Sequence, residues 1–227
     1  MNIHYIMHAA FEKVGIIEDW ARENDHVLMG THPYEGEKIP SFDKFDLLIV
    51  MGGPQSPREN DKYPYLEDEI SLIRQSIRAD KKVIGFCLGA QLIGEALGAT
   101  TLKSPEKEVG VYPITLTPEG RQDPIFYDFP SNFDVIHWHN DMPGLTEDTT
   151  LLASSPGCPH QAFRYKENVY GFQFHMEITQ DLAWDMIKHC PNDLQPSVYT
   201  QTAEEFLKAD FDAINKKMKQ ILTSITS

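Results

Sequence analysis

Residues 81–91 read KKVIGFCLGAQ, and this stretch decides the fold. Its apolar residues from Val83 onward indicate a strand, and the G-x-C-x-G sequence between Gly85 and Gly89 is typical of the sharp strand–turn–helix connection that presents a nucleophile. Glycines on both sides of the turn remove the Cβ clashes that would otherwise forbid it. We therefore predict that Cys87 stands at the N-terminus of a helix, where the helix dipole and unpaired N–H groups favour the reactive thiolate.

A second motif, GFQFHME at residues 171–177, carries a candidate base for this thiol. A catalytic cysteine needs a base to move its proton, and the base needs a third group that fixes its tautomer. His175 would end a strand, and Glu177 would share its face because residues i and i+2 of a strand point the same way. The alternatives are a structural, buried Cys87 and a core histidine beside a solvated glutamate. The two motifs together favour a triad of Cys87, His175 and Glu177.

The composition argues against two classes of partner. The chain has 34 acidic and 20 basic side chains, a formal charge of −14, which repels phosphate backbones and anionic lipid surfaces. We therefore expect neither nucleic acid nor membrane as a partner. No apolar run reaches the length of a membrane span, and the first residues lack the features of a secretory signal. Three scattered cysteines suit a reducing compartment, so we expect a cytoplasmic protein.

Apolar runs that alternate with helical periodicity predict an α/β fold, an open, mostly parallel central sheet flanked by helices. Strands are predicted at 3–7, 27–29 and 45–51, and helices at 14–22 and 88–97. Between residues 99 and 170, short strands separated by Pro, Gly, Asn and Asp predict additional antiparallel pairs. The length is that of one sizeable domain, so residues 1–227 are predicted to form a single domain.

The last helix is predicted to begin at Thr202. Thr202 and Glu205 have the spacing of a capping box, and apolar residues follow at helical intervals from Leu207 through Phe211 to Leu222. We expect this helix to pack on the sheet.

The motifs GFCLGAQ at 85–91, MGGPQ at 51–55 and GFQFHME at 171–177 resemble the class I, or triad, glutamine amidotransferase domain, closest to the glutaminase half of GMP synthase. The resemblance extends over almost the whole chain. The order nucleophile, histidine, acid differs from the α/β-hydrolases, in which the acid precedes the histidine. The resemblance implies a flavodoxin-like fold of the class I glutamine amidotransferase type.

The resemblance also implies residue roles. Cys87 would attack the side-chain carbonyl of glutamine, His175 would carry the proton, and Glu177 would orient His175. The backbone N–H groups of Gly53 and Leu88 would form the oxyanion hole, because the negative charge that develops there requires preorganised donors.

Four further residues are implied to contact the substrate: Gln91, Trp138, His139 and Gly52. A metal-binding strand is the alternative for His137 and His139, but a strand with two histidines and no matched third ligand is common by chance. We therefore predict no metal and no cofactor. The family often has proline where this chain has Met176, and we expect that proline to affect local backbone geometry only.

The expected substrate is glutamine or a small γ-glutamyl molecule, cleaved through a γ-glutamyl thioester. The chain shows no ATP-binding motif, so a separate synthetase subunit would use the ammonia, or the chain would act alone on γ-glutamyl amides or peptides. Two further hypotheses are a non-catalytic regulatory module of the same fold and a different cysteine hydrolase of the DJ-1 type.

Overall fold

The computed structural model describes residues 1–59 and 61–227. Within these residues, ten strands form one sheet. The strands are β1 (Asn2–Ile6), β2 (Val27–Thr31), β3 (Leu47–Val50), β4 (Lys82–Phe86), β5 (Leu102–Leu116), β6 (Asn132–Met142), β7 (Thr149–Ser154), β8 (Ala162–Tyr165), β9 (Val169–Phe172) and β10 (Tyr199–Thr200).

Helices cover both faces of the sheet. They are α1 (Ile16–Glu23), α2 (Tyr65–Arg78), α3 (Leu88–Leu97), α4 (Gln180–His189), α5 (Ala203–Phe206) and α6 (Phe211–Thr226). Each longer helix is amphipathic, and the apolar stripe of α2 and α3 enters one core while those of α1, α4 and α6 enter the other. None of the helices in the described part of the chain has the length and apolarity needed to cross a membrane.

The sheet combines two kinds of pairing, as the sequence predicted. Strands β2, β1, β3, β4 and β9 are parallel neighbours in that order, and β9 continues through antiparallel β8 and β7 to β5, which pairs with β6 and β10. This confirms the mixed α/β fold. The parallel register of β4 and β9 pairs Phe86 with Phe172, so the chain leaves both strands at the same edge of the sheet. In open parallel sheets this edge is where ligands bind.

The prediction for the last helix was correct in its start and wrong in its continuity. The capping box forms, with the Thr202 side chain accepting from Glu205 N–H and the Glu205 carboxylate accepting from Thr202 N–H. However, α5 ends at Phe206, and α6 begins separately at Phe211. Asp210 explains the break, because its side chain accepts from Ala213 N–H at 3.0 Å and so caps a new helix.

Candidate active site

Cys87 occupies a tight elbow between β4 and α3. Its φ is 49°, in the left-handed region that non-glycine residues rarely adopt. The Cys87 N–H donates to the Phe172 carbonyl at 2.8 Å, which holds the elbow against β9. A Cβ at Gly89 would lie 2.0 Å from the Val50 carbonyl oxygen, so α3 can approach β3 only with glycine there. The strained conformation at Cys87 is the geometry of a nucleophile elbow.

The structure brings His175 and Glu177 to this cysteine. The side chains of Cys87 and His175 are in hydrogen-bonding contact. His175 Nδ1–H donates to Glu177 Oε1 at 2.6 Å, and both side chains are almost fully buried. The backbone of His175 forms a two-way antiparallel bridge with Ile136, at 2.7 and 3.0 Å, which fixes its position. The three residues thus form one continuous hydrogen-bonded line.

Glu177 is held from several sides. Its Oε2 accepts from the Met176 N–H at 3.0 Å, a bond that proline at 176 could not donate. The carbonyl of Glu177 accepts from Ile16 N–H at 2.9 Å. Asn215 of α6 donates to the carbonyls of Met176 and Ile178, each at 2.9 Å, and so brackets Glu177 from both sides. The orienting carboxylate is therefore fixed by three separate elements of the fold.

Electrostatics at the site favour a charged imidazole. Burial acts to lower the pKa of His175, but the charge of Glu177 and the hydrogen bonds to Cys87 and Glu177 outweigh it and raise the pKa well above 6.5. An imidazolium beside a thiol stabilises the thiolate form of that thiol.

A buried histidine that the motifs did not highlight supports the loop after β3. His8 Nδ1–H donates to the Gly52 carbonyl at 3.0 Å, and His8 Nε2 lies 2.7 Å from Glu69 Oε2. The Gly52 carbonyl and the Gly53 N–H belong to one planar peptide unit and point in opposite directions. Because His8 holds that carbonyl, the Gly53 N–H points away from His8.

A cleft with a volume of about 220 Å³ opens at Cys87. Its lining includes four of the predicted residues, Gly53, Gln91, Trp138 and His139. The fifth, Gly52, is buried beside the loop backbone.

The polar groups of the predicted substrate residues already have partners within the protein. Gln91 Nε2 donates to Gln173 Oε1 at 3.1 Å, and Trp138 Nε1 donates to Asp193 Oδ2 at 3.0 Å. The Trp138 carbonyl accepts from the Cys87 thiol at 3.7 Å. His139 donates from Nδ1 to the Asp141 carbonyl at 3.2 Å. These contacts fix the walls of the cleft around Cys87.

Glu12 is a charged residue of this site that sequence reasoning missed. A Cβ at Gly52 would lie 2.6 Å from Glu12 Oε2 and 3.0 Å from His175 Cε1, so the carboxylate approaches the imidazole across the glycine. Burial raises the pKa of Glu12 to about 7, although the charges of His175 and His8 oppose the shift. The only sequence signal is its place in the loop after β1, at the edge of the sheet where ligands bind.

The structure also supplies the third potential metal ligand that the sequence did not reveal beside His137 and His139. Glu108 lies on β5 opposite His139 in the register of β5 and β6, and the ligand atoms of the three buried side chains lie within 4.8 Å of one another. Burial lowers the pKa of His137 to about 3, so its ring is neutral.

The site geometry agrees with comparisons to known proteins. The family Glutamine amidotransferase class-I matches residues 19–187. A glutamine amidotransferase-like protein of Salmonella typhimurium, YfeJ, is 43% identical over 233 residues, covering 100% of this chain and 98% of that protein. A glutamine-hydrolysing GMP synthase of Thermosipho africanus is 32% identical over 142 residues, which cover 62% of this chain and only 26% of that enzyme.

Solved structures show the same architecture over the whole chain. The crystal structure of SMU.1228c is 40% identical, with a TM-score of 0.95 and coverage of 100% of both chains. A glutamine amidotransferase from Thermotoga maritima is 25% identical, with a TM-score of 0.86 and coverage of 100% of this chain and 99% of that chain.

Proposed function

The chain belongs to the class I glutamine amidotransferase family, and on that premise we propose that it cleaves the γ-carboxamide of glutamine, or a γ-glutamyl amide, through a thioester at Cys87. The observation that carries this proposal is the hydrogen-bonded line from the elbow cysteine through His175 to Glu177. A cysteine, a base and an orienting carboxylate in hydrogen-bonding contact have the arrangement required for acyl transfer.

In the first half of the cycle, Cys87 Sγ attacks the γ-carbonyl carbon of the substrate, and the thiol proton resides on His175. His175 then donates this proton to the leaving nitrogen as the carbon–nitrogen bond breaks, and ammonia or an amine departs. In the second half, His175 takes a proton from water, which attacks the thioester and releases glutamate and the Cys87 thiol. Glu177 stays ionised and holds His175 Nδ1 protonated, so that Nε2 faces the reaction.

The developing oxyanion would be stabilised by the N–H groups of Gly53 and Leu88. Leu88 is the first residue of α3, and the first N–H groups of a helix have no partner within the helix. The His8 bond to the Gly52 carbonyl supports the role of Gly53, because it orients the following N–H away from His8. Removing one such donor typically costs about 10²–10³ in kcat.

The substrate would occupy the cleft at Cys87. Its volume of about 220 Å³ suits an amino-acid-sized ligand, since drug-sized ligands occupy about 300–1,000 Å³. Gln91, Trp138, His139 and Gly52 remain the residues proposed to bind the substrate. The three free cysteines agree with action in a reducing cytoplasm.

The fate of the ammonia defines two forms of the proposal. One relative is a separate glutamine-hydrolysing GMP synthase subunit of Picrophilus torridus, 32% identical over 139 residues that cover 59% of this chain and 68% of that protein, and it supports delivery to a synthetase subunit. The YfeJ relative, 98% of which this chain covers, supports a free-standing hydrolase of glutamine or γ-glutamyl amides. Release of glutamate by the pure chain, with and without a candidate synthetase, distinguishes the two forms.

A glutamine-mimicking diazo-ketone tests the chemistry directly. We expect it to add once to the intact protein at Cys87, as located by mass spectrometry, and to abolish glutamate release. Cys190→Ala is the matched control, because Cys190 also lines the cleft, and it should be labelled at the wild-type rate. Labelling that persists in Cys87→Ala, or a wild-type Cys87 that stays unmodified, would contradict the proposal.

A further inference from the structure

Four buried side chains beside the catalytic cleft point their polar atoms at one another. The atoms are Glu108 Oε2, His137 Nδ1, His139 Nε2 and the terminal amide atom of Gln161, placed as Nε2. The carboxylate lies 3.6 and 3.1 Å from the two ring nitrogens, which lie 3.4 Å apart. The amide atom lies 2.7, 3.2 and 3.4 Å from these three atoms. All six separations are therefore similar, and the four atoms form a small tetrahedron.

Hydrogen bonds outside the tetrahedron turn the lone pairs of both histidines inward. His137 Nε2–H donates to the Tyr112 carbonyl, and His139 Nδ1–H donates to the Asp141 carbonyl, each at 3.2 Å. A neutral imidazole that donates from one nitrogen carries a lone pair on the other. His137 Nδ1 and His139 Nε2 therefore face each other as two acceptors, with no proton between them, beside the Glu108 carboxylate.

Gln161 does not resolve this conflict as a hydrogen-bond donor. Its amide nitrogen has two hydrogens but faces four acceptors, the three of the tetrahedron and Ser155 Oγ at 2.9 Å. Its Oε1 is buried with no partner in the described structure, and the side chain is 0% exposed. The oxygen and nitrogen of a glutamine amide have nearly the same shape, so a half-turn of the amide places Oε1 in the tetrahedron. The site then holds four electron-pair donors, and only a cation satisfies them all.

We propose that Glu108, His137, His139 and Gln161 form a four-coordinate site for a divalent transition-metal ion of the Zn²⁺ type. Zn²⁺ binds imidazole nitrogen and carboxylate oxygen at about 2.0–2.1 Å, so neighbouring ligand atoms of a tetrahedral site lie about 3.3 Å apart. The six separations, 2.7–3.6 Å, centre on this value. Imidazole and carboxylate ligands also suit Zn²⁺ better than the all-oxygen preference of Mg²⁺ or Ca²⁺.

The surroundings complete the site in the way that metal centres require. The two backbone carbonyls fix the histidine tautomers, and Ser155 Oγ–H donates to Glu108 Oε1 at 2.7 Å, which leaves Oε2 for the ion. Four protein ligands leave no open position, so the ion would have a structural role. It would join β5, β6 and the chain just before β8, and thus fix the strand that carries the Trp138 carbonyl to the Cys87 thiol.

Cobalt substitution tests this proposal without reference to activity. The untagged full-length chain is treated with chelator, dialysed and titrated with Co²⁺. We expect one equivalent to bind with the intense visible bands of four-coordinate cobalt, to be displaced by Zn²⁺, and to raise the unfolding temperature. A wild-type chain that develops no such bands would overturn the proposal and leave a proton-sharing cluster of Glu108 and the histidines.

Variants locate the ion. Glu108→Gln should weaken Co²⁺ binding at least tenfold, while Glu106→Gln, an exposed carboxylate on the same strand, should bind as the wild type does. Cys87→Ala should keep the bands, because the catalytic thiol lies outside the tetrahedron. Unchanged binding in folded Glu108→Gln, or loss of the bands in Cys87→Ala, would refute the assignment.

X-ray absorption on the zinc-loaded wild type gives the same decision if Glu108→Gln fails to fold. Nitrogen and oxygen neighbours at about 2.0–2.1 Å with two imidazole rings support the site, whereas sulfur at about 2.3 Å places the ion on a cysteine and overturns it.

Discussion

The triad residues should differ in what their removal costs. Cys87→Ala should abolish glutamate release without unfolding the chain, and His175→Ala should lower kcat to a similar extent, because both atoms that change bonds are lost. Glu177→Gln should cost about 10²-fold less than His175→Ala, since an orienting group contributes less than the base it orients. Steady-state kinetics with glutamine or a γ-glutamyl amide measure these losses.

Far-UV circular dichroism should show that all three variants remain folded. Equal kcat in the three variants and the wild type would rule out the triad.

At the level of single residues, the sequence predicted those side chains whose position follows from the adjacent backbone. Cys87 and His175 each follow directly after a strand, and the motif spacing fixed their relation. His8 and Glu69 are 61 residues apart, so only the folded sheet brings them together. Met176 shows a different limit, because its backbone N–H bonds to Glu177, a contact that the expected effect of proline on geometry alone did not include.

At the level of elements, α6 supports the loop that carries Glu177, and this predicts a specific loss. Asn215→Ala leaves the carbonyls of Met176 and Ile178 without their buried donor, and each unsatisfied group costs about 1–3 kcal/mol. We expect the free energy of unfolding to fall by about 2–4 kcal/mol, with a lower kcat because Glu177 loosens. Urea unfolding and steady-state kinetics measure both effects.

Lys216→Ala is the matched control, since it is an exposed position next to Asn215 on the same helix and should change neither quantity. An Asn215→Ala variant with the urea midpoint and kcat of the wild type would show that α6 does not support the loop.

The limits of sequence-based prediction at this scale lie in pairing and interruption. Alternating apolar residues predicted β5 and β6 as strands, but their register decides that Glu108 faces His139, and register depends on contacts across the sheet. Helical periodicity continued through Asp210, yet the local hydrogen bond of that side chain ends one helix and begins another.

At the level of the whole molecule, Glu12 links proton binding to stability. Its pKa is raised to about 7 in the folded chain, from an ordinary value of 4.5, chiefly by burial. Between these values the folded state keeps a proton that the unfolded chain releases, so the free energy of unfolding should fall as pH rises from about 4.5 to about 7. Glu12→Gln cannot ionise and should avoid this loss, which is on the order of 1–3 kcal/mol.

Urea unfolding at pH 5 and pH 8 measures the difference. The variant should gain stability relative to the wild type at pH 8 and little at pH 5, whereas Glu18→Gln, an exposed site on α1, should follow the wild type at both. An identical pH response in the wild type and Glu12→Gln would show that Glu12 does not carry this linkage.

The global architecture could be predicted from the sequence because the alternation of strands and helices and the elbow motif both specify an α/β sheet. The order of strands could not, since β9 joins β4 only after the chain has passed through the antiparallel strands of its second half. That late return is what places His175 beside Cys87.

The bracket that Asn215 forms around Glu177 has a consequence for biosynthesis. A chain emerging from the ribosome exposes its nucleophile and its base well before the helix that steadies the acid has been translated. The enzyme should therefore remain inert towards cellular glutamine until this later segment folds back, so that a truncated translation product does not hydrolyse the pool.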